Sequence, residues 1–343
     1  MKAKYIFLAA FVAAVALTQT SCEKVSPQGV LMAGTAVEDR VDMSYQYYQQ
    51  NNFEYKLDDD INFSTMADEG YSFIVGADSH VTTDLGRMRE MFQIGLDNDD
   101  LLYCHLGDIA DTKPEYYINL QNCIGEATYN YIEKYYEYHE DDEKLHRKGV
   151  PNSIGRDYDD IRLPFFPVVG NHDLTHNGWG MWSNIFGSSF YTIDVPVGYD
   201  ENGYRVFDHF IFLDTASGTL GRLQVDLIER GVLDGQGHYR NTFVFSHTNI
   251  FLPQSFQFAS TFPREEAYFL LKQFDKWNAT IVFCGHVHKW DERLYNMVYF
   301  LTLDSMSERN SPDPGDYLVR VNIDKDGAID IEKVHMSYVA PKK

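Results

Sequence analysis

The sequence predicts an α/β protein with mostly parallel strands, on three observations. Short apolar runs of strand length recur from residue 71 onward: "YSFIV", "LLYCHL", "FFPVV", "NTFVF" and "TIVFC". Between several of them, apolar residues recur at helical spacing. Each run then exits into polar residues of metal-binding type, and four of the five exits carry a Gly. Strands alternating with amphipathic helices are what a chain needs to cover both faces of a parallel sheet.

Taken in order, residues 1–22 are not fold. Lys2 and Lys4 precede an apolar run from Tyr5 to Leu17, followed by "TQTSC". A basic head, a short apolar stretch and a small-residue exit describe an export signal. Cys22 after Ser21 resembles a lipoprotein cleavage box, although Gln19 stands where that box usually has an aliphatic residue. An exported lipoprotein anchored in a membrane through Cys22 is therefore expected, facing the periplasm or the cell surface. Residues 23–70 form a polar N-terminal extension, with a helix expected near "EDRVDMSYQYYQQ" and a solvated run at Asp58–Asp60. Residues 71–340 read as one domain.

Inside that domain, Leu85, Met88, Phe92 and Leu96 make one helical stripe. Leu220, Leu223, Leu227 and Ile228 make a second, stopped by Gly231. Ala267, Leu270, Leu271, Phe274 and Trp277 make a third, closed by Asn278. All are read as core-packing faces. Residues 112–160 break the rhythm with a Tyr-rich, charged insertion, expected as a helix plus a long loop over one edge. The acidic run Glu140–Glu143 is expected at a solvated helix end. "YLVRVNIDKDGAIDIEKV" alternates around Lys325-Asp326-Gly327 and predicts a β-hairpin.

With 343 residues and 44% hydrophobic composition, the chain can bury a large core. Asp plus Glu number 51 against 29 Lys plus Arg, a formal charge of −22. That balance excludes the basic stripe nucleic-acid binding requires. Past Cys22, Cys104, Cys123 and Cys284 are an odd count and read as buried thiols rather than a disulfide framework.

The exits carry the chemistry. "YSFIV" leads to Asp78 and His80, "LLYCHL" to Asp108 and Asp111, and "FFPVV" to Asn171, His172 and Asp173. "NTFVF" leads to His247, and "TIVFC" to His286 and His288. Each piece alone is weak. Together they matter, because parallel strands bring their carboxyl ends to one crevice. Asp, Asn and His without thiolate suit Mn, Fe or Zn. In extended chain, residues i and i+2 point to one side. His286 and His288 would then each reach one of two metals about 3.5–4 Å apart.

These motifs resemble the calcineurin-like metallophosphoesterases: Asp78-x-His80, Gly107-Asp108-x-x-Asp111, Gly170-Asn171-His172-Asp173, His247 and Gly285-His286-x-His288, in the family's order. The resemblance implies a two-sheet β-sandwich flanked by helices. It implies one divalent ion held by Asp78, His80, Asp108 and His288, and a second by Asp108, Asn171, His247 and His286, with Asp108 bridging. His172 resembles the family's catalytic histidine, with Asp111 and Asp173 as supporting carboxylates. The implied activity is hydrolysis of a small phosphorylated substrate, a phosphodiester or phosphomonoester, by a metal-bridging hydroxide.

Departures narrow this. Gly107–Thr112 lacks the Arg of the protein-phosphatase branch, and Asp111 stands where purple acid phosphatases carry a metal-binding Tyr. His247 is followed by Thr248 where many members have Pro. His176, Asn177, Trp179, Trp182 and "FLPQSFQF" after His247 are candidates for the pocket rim, with core packing the alternative for the two Trp. The competing functional reading is a lipid-anchored binding protein that holds a phosphorylated ligand at the metal site without turnover.

Overall fold

The structure is a computed structural model that describes residues 36–51, 69–111, 113–150, 152–251, 262–307 and 317–338. The export segment, Cys22, the Asp58–Asp60 run and residues 252–258 of "FLPQSFQF" lie outside the described residues.

The chain begins with helix α1 (Val37–Asn51), strand β1 (Tyr71–Gly76), helix α2 (Gly86–Asp97) and strand β2 (Leu102–His105). The insertion supplies helix α3 (Pro114–Tyr135) and strands β3 (Tyr136–His139) and β4 (Lys144–Arg147), before β5 (Phe165–Pro167). Helix α4 (Gly178–Phe186), β6 (Tyr191–Tyr199), β7 (Arg205–Phe212), α5 (Gly221–Glu229), β8 (His238–Ser246) and α6 (Arg264–Lys276) follow. The chain closes with β9 (Ile281–Cys284), β10 (Asp291–Tyr295), β11 (Val298–Thr302), β12 (Tyr317–Ile323) and β13 (Ile329–His335).

Two mixed sheets result. One has the order β13-β12-β1-β2-β5 and the other β10-β11-β9-β8-β7-β6. The strands that carry the polar exits run parallel to one another where they pair, β1 with β2, β2 with β5, and β8 with β9, while β1 is antiparallel to β12 on its other side. Antiparallel pairs lie toward the sheet edges, at β12–β13, β10–β11 and β6–β7.

Side-chain alternation decides the layers. On β1, Phe73 and Val75 face the second sheet, while Ile74 faces α2 and α3. The Phe73 ring meets Phe210 and Phe243 edge-on at 5.1 and 5.3 Å between centroids. The inter-sheet layer also buries Phe212, Phe245 and Phe283, and each such ring contributes about 1.5–3 kcal/mol by leaving water. The outer face of the first sheet packs on α2, α3 and α4, and that of the second on α1, α5 and α6. The order is helix, sheet, sheet, helix, the sandwich that the motifs imply.

The three helical stripes occupy α2, α5 and α6. Gly231 sits at φ +77° past α5, and Asn278 at φ +48° past α6, the left-handed conformation that commonly ends helices. The hairpin β12–β13 turns where predicted: the Asp324 carboxylate accepts the N–H groups of Asp326 and Ala328 at 2.9 and 2.8 Å. Cys104, Cys123 and Cys284 are buried free thiols.

The insertion corrects the sequence reading. The expected helix is present, and the hairpin β3–β4 follows it where a long loop was expected. Tyr117, Leu120, Cys123, Ala127, Tyr131 and Ile132 recur at helical spacing on α3 and are buried, so the helix builds the outer layer of the first sheet. Glu140–Glu143 form the exposed turn of the β3–β4 hairpin rather than a helix end. Neither short strand, Tyr136-Glu137-Tyr138-His139 nor Lys144-Leu145-His146-Arg147, has an apolar run to mark it.

Candidate metal centre

The two sheets present their parallel strands with carboxyl ends at one edge, and backbone bonds carry the pairing beyond the strands. Asp78 N–H donates to the Gly107 carbonyl (3.1 Å), His80 N–H to that of Asp108 (3.0 Å), and Gly285 N–H to that of His247 (3.0 Å). The exits from β1, β2, β5, β8 and β9 thereby meet.

Glycines permit the closeness. A Cβ on Gly170 would lie 2.1 Å from Asp108 N, and one on Gly285 would lie 2.7 Å from an Asp78 oxygen. The ligand-type residues themselves are bent. Asp78 (φ 51°), His80 (43°), Asp108 (51°), His286 (71°) and His288 (53°) all occupy the left-handed region, which costs a residue with a Cβ roughly 1–2 kcal/mol. Strain of this kind gathers at functional sites. It also corrects the extended-chain argument for His286 and His288. Both sit in a left-handed bend and serve different clusters.

One cluster is Asp78, His80, Asp108 and His288; another is Asp108, His247 and His286. In the first, His288 Nε2 lies 3.2 Å from His80 Nε2 and 3.4 Å from Asp78 Oδ1. In the second, His247 Nε2 lies 2.9 Å from Asn171 Oδ1 and 3.1 Å from His286 Nδ1. Asp108 belongs to both: its Oδ2 is 3.5 Å from His247 Nε2 and 3.9 Å from His80 Nε2. Its Oδ1 accepts the His172 backbone N–H at 2.6 Å, which fixes the carboxylate with Oδ2 between the clusters.

His247 Nδ1–H donates to the Leu106 carbonyl at 2.7 Å, which turns Nε2 toward Asp108 and Asn171. His80 Nδ1–H donates to Asp111 at 3.1 Å, which turns its Nε2 toward His288 and Asp108. Ligand atoms of His247, His286, Asn171 and Asp108 converge on one point, and those of His80, His288, Asp78 and Asp108 on another. Electron-rich atoms packed this closely call for cations, and the oxygen and imidazole donors suit Mn, Fe or Zn.

The electrostatics agree. Burial would raise Asp78, yet His288, His247 and His80 hold it well below the usual carboxylate range. Burial opposes charge on His80, yet the Asp111, Asp108 and Asp78 carboxylates still raise it: the crevice draws positive charge. Burial pushes His286 down to about 4, so it offers a neutral imidazole.

His172 and Asp111 form, with His80, a third group whose ligand atoms lie close together, and Asp173 belongs to none of the three. His172 Nδ1 lies 3.6 Å from Asp111 Oδ1, and that carboxylate pushes the imidazole up to about 9. Asp111 thus sits between His80 and His172. Asp173 is fully buried and belongs to neither cluster. It accepts the N–H groups of Ile109 (3.1 Å), Ala110 (3.2 Å) and Gly170 (2.9 Å), and burial and then Asp108 raise it to about 6. It pins the loop bearing Asp108 to the loop bearing Asn171.

Several supporting residues were not singled out in the sequence. The Tyr117 hydroxyl, from the insertion helix, contacts the Asp173 carbonyl and carboxylate at 3.1 and 3.2 Å. Ser305 donates to the Asp78 carbonyl at 2.7 Å, and Thr215 Oγ1 accepts the His247 N–H at 2.9 Å. None is a metal-ligating type at a conspicuous spacing. Of the rim candidates, Trp179 and Trp182 are buried and stacked at 5.5 Å in the core under α4, whereas His176 is exposed.

No protein-family model and no curated protein matches the sequence. In shape, the chain is similar to solved structures. One is GAP50, the anchor in the inner membrane complex of Plasmodium: 14% identity, 78% of this chain and 89% of that one, TM-score 0.46. Another is a dimetal phosphatase from Danio rerio: 11% identity, 78% and 96%, TM-score 0.46. A third is an archaeal phosphodiesterase: 10% identity, 77% and 99%, TM-score 0.36. The architecture described above, two mixed sheets face to face between helical layers, is the one that the motif resemblance implies.

Proposed function

We propose that the chain is a metal-dependent phosphoester hydrolase with a dinuclear centre in this crevice. The observation that carries the reading is the position of Asp108 Oδ2 between two clusters of converging ligand atoms. Asp78, His80, Asp108 and His288 would hold one divalent ion, and Asp108, Asn171, His247 and His286 the other. Two such ions, when bound, supply the lowered pKa of a water and the positive charge that an anionic phosphoryl group needs in an acidic protein.

The chain's own residues do the rest. Asn171 contributes a neutral oxygen, which keeps that half of the site attractive to an anion. His172, partly exposed beside Asp111, stands at the crevice outside both ligand sets. It is the group placed to hand a proton to the departing oxygen as water oxygen bonds to phosphorus and the ester P–O bond breaks. Asp173 and Tyr117 keep the Asp108 and Asn171 loops in register. The leader at 1–22 supports export with an anchor at Cys22.

A proton donor outside the ligand set favours turnover over mere ligand retention. The test is a panel of phosphomonoesters, phosphodiesters and pyrophosphates, assayed after reconstitution with Mn²⁺. His172→Ala should lower turnover on the order of 10²–10⁴-fold with metal content unchanged. Loss of metal in that variant would show that His172 is a ligand. Two bound ions with no hydrolysis of any class would leave the binding-protein reading.

A further inference from the structure

Among the residues of the second cluster, His247 is held from an unexpected direction. Thr215 Oγ1, just past β7, accepts the backbone N–H groups of His247 (2.9 Å) and Thr248 (3.0 Å). The Thr248 hydroxyl donates back to the Thr215 carbonyl at 2.8 Å. Thr215 and Thr248 thus clamp each other, and a Pro at 248 would have no N–H to give. The neighbouring Asp214 is fully buried, and so is the Arg40 of α1 that meets it. Arg40 Nε and Nη2 donate to the two Asp214 oxygens at 3.0 and 2.8 Å, a paired fork that fixes direction as well as distance. Arg40 Nη2 also donates to Ser217 Oγ at 3.2 Å on the same turn. Gln224 secures the backbone of that turn, accepting Asp214 N–H and donating to its carbonyl.

Helix α1 is itself bolted down, so Arg40 can transmit position. Val37 and Val41 are buried in the cluster that contains α5 and α6. The Glu38 carboxylate accepts the N–H groups of Arg222 (2.6 Å) and Leu223 (2.9 Å) in the first turn of α5, where backbone donors lack partners within the helix. Ser44 Oγ accepts Ser189 N–H at 2.9 Å.

We propose that Arg40 and Thr215 are positioning residues for His247. The N-terminal helix, through Asp214, holds the Thr215–Thr248 clamp that aims the His247 imidazole at Asp108 and Asn171. This rests on the metal reading of the crevice. It gives a part of the extension outside the motif-bearing domain a share in one half of the centre. The chain from Arg40 touches His247 and does not touch Asp78, His80 or His288, so the two halves should respond differently.

The experiment is calorimetric titration of the metal-stripped full chain with Mn²⁺, joined to Mn²⁺ electron paramagnetic resonance. Wild type is expected to take two equivalents and show a coupled pair. In Arg40→Met one equivalent should weaken about tenfold or more, the range typical of outer-shell changes, while the other stays within about twofold. The coupled signal should give way to that of an isolated ion, and Arg40→Lys should recover part of the lost affinity. If Arg40→Met does not fold, Thr215→Val, which keeps shape and removes the acceptor, should give the same one-sided loss. Equal weakening of both equivalents, or none in either variant, would overturn the proposal. A wild type that binds no Mn²⁺ would overturn the metal reading and this inference with it, and is plainly distinct from two unperturbed equivalents.

Discussion

The backbone N–H of His172 donates to Oδ1 of Asp108 at 2.6 Å, so the residue proposed as proton donor also orients the carboxylate shared by both clusters. The loop after β5 and the loop after β2 are therefore one mechanical unit, and that contact exists because Gly170 has no side chain.

Gly170→Ala is accordingly expected to disable the site. Its Cβ would fall 2.1 Å from Asp108 N and 2.3 Å from Asp108 Oδ1, and the obstructing atoms are backbone and a fixed carboxylate rather than a mobile tip. Overpacking at such a place costs about 1–3 kcal/mol. Denaturant unfolding should show that loss, and metal analysis should show less than one ion retained per chain. A variant with full metal content would show that the two loops need not touch.

His288→Asn should separate stability from function. His288 sits at φ 53°, a left-handed conformation that Asn, with its short polar side chain, adopts readily. In the metal-free protein, thermal unfolding should show Asn equal to or more stable than His, by up to about 1 kcal/mol. The metal-loaded variant should lose phosphoesterase turnover. A clear destabilisation of the metal-free variant would mean that the left-handed bend stores no strain at this position.

His105 predicts a pH dependence. It is fully buried at the end of β2, its Nδ1 accepts the Gly107 N–H at 3.2 Å, and its Nε2 has no hydrogen-bond partner among the described residues. Burial pushes its pKa down to about 3, against about 6.5 in an unfolded chain. Below about pH 6.5 the unfolded state takes up a proton that the folded state refuses, so stability falls as pH falls. Between pH 7 and pH 5 the wild type should lose about 2 kcal/mol more than His105→Asn, which keeps an acceptor and cannot titrate. Parallel curves for the two proteins would show that His105 becomes charged while folded.

Much of this site can be read in the sequence because its residues announce themselves. Asp78, His80, Asp108, Asn171, His247, His286 and His288 are ligand types at the ends of apolar runs, and parallel pairing brings such ends together. The two sheets could not be partitioned the same way. Whether β12 joins β1 or β11 joins β9 depends on pairings far apart in sequence. Trp179 and Trp182 suit a rim and a core equally by chemistry, and only the packing beneath α4 decides. Tyr117, Thr215 and Arg40 act through backbone groups and a carboxylate on other segments. Nothing local marks them, and Tyr117 lies in a stretch whose composition suggests a surface insertion.

Anomalous diffraction from a crystal of the full chain soaked in Mn²⁺ tests the central claim most directly. Two peaks about 3.5–4 Å apart, one on each side of Asp108 Oδ2, are the predicted result. A single peak, or two that do not share Asp108, would contradict it.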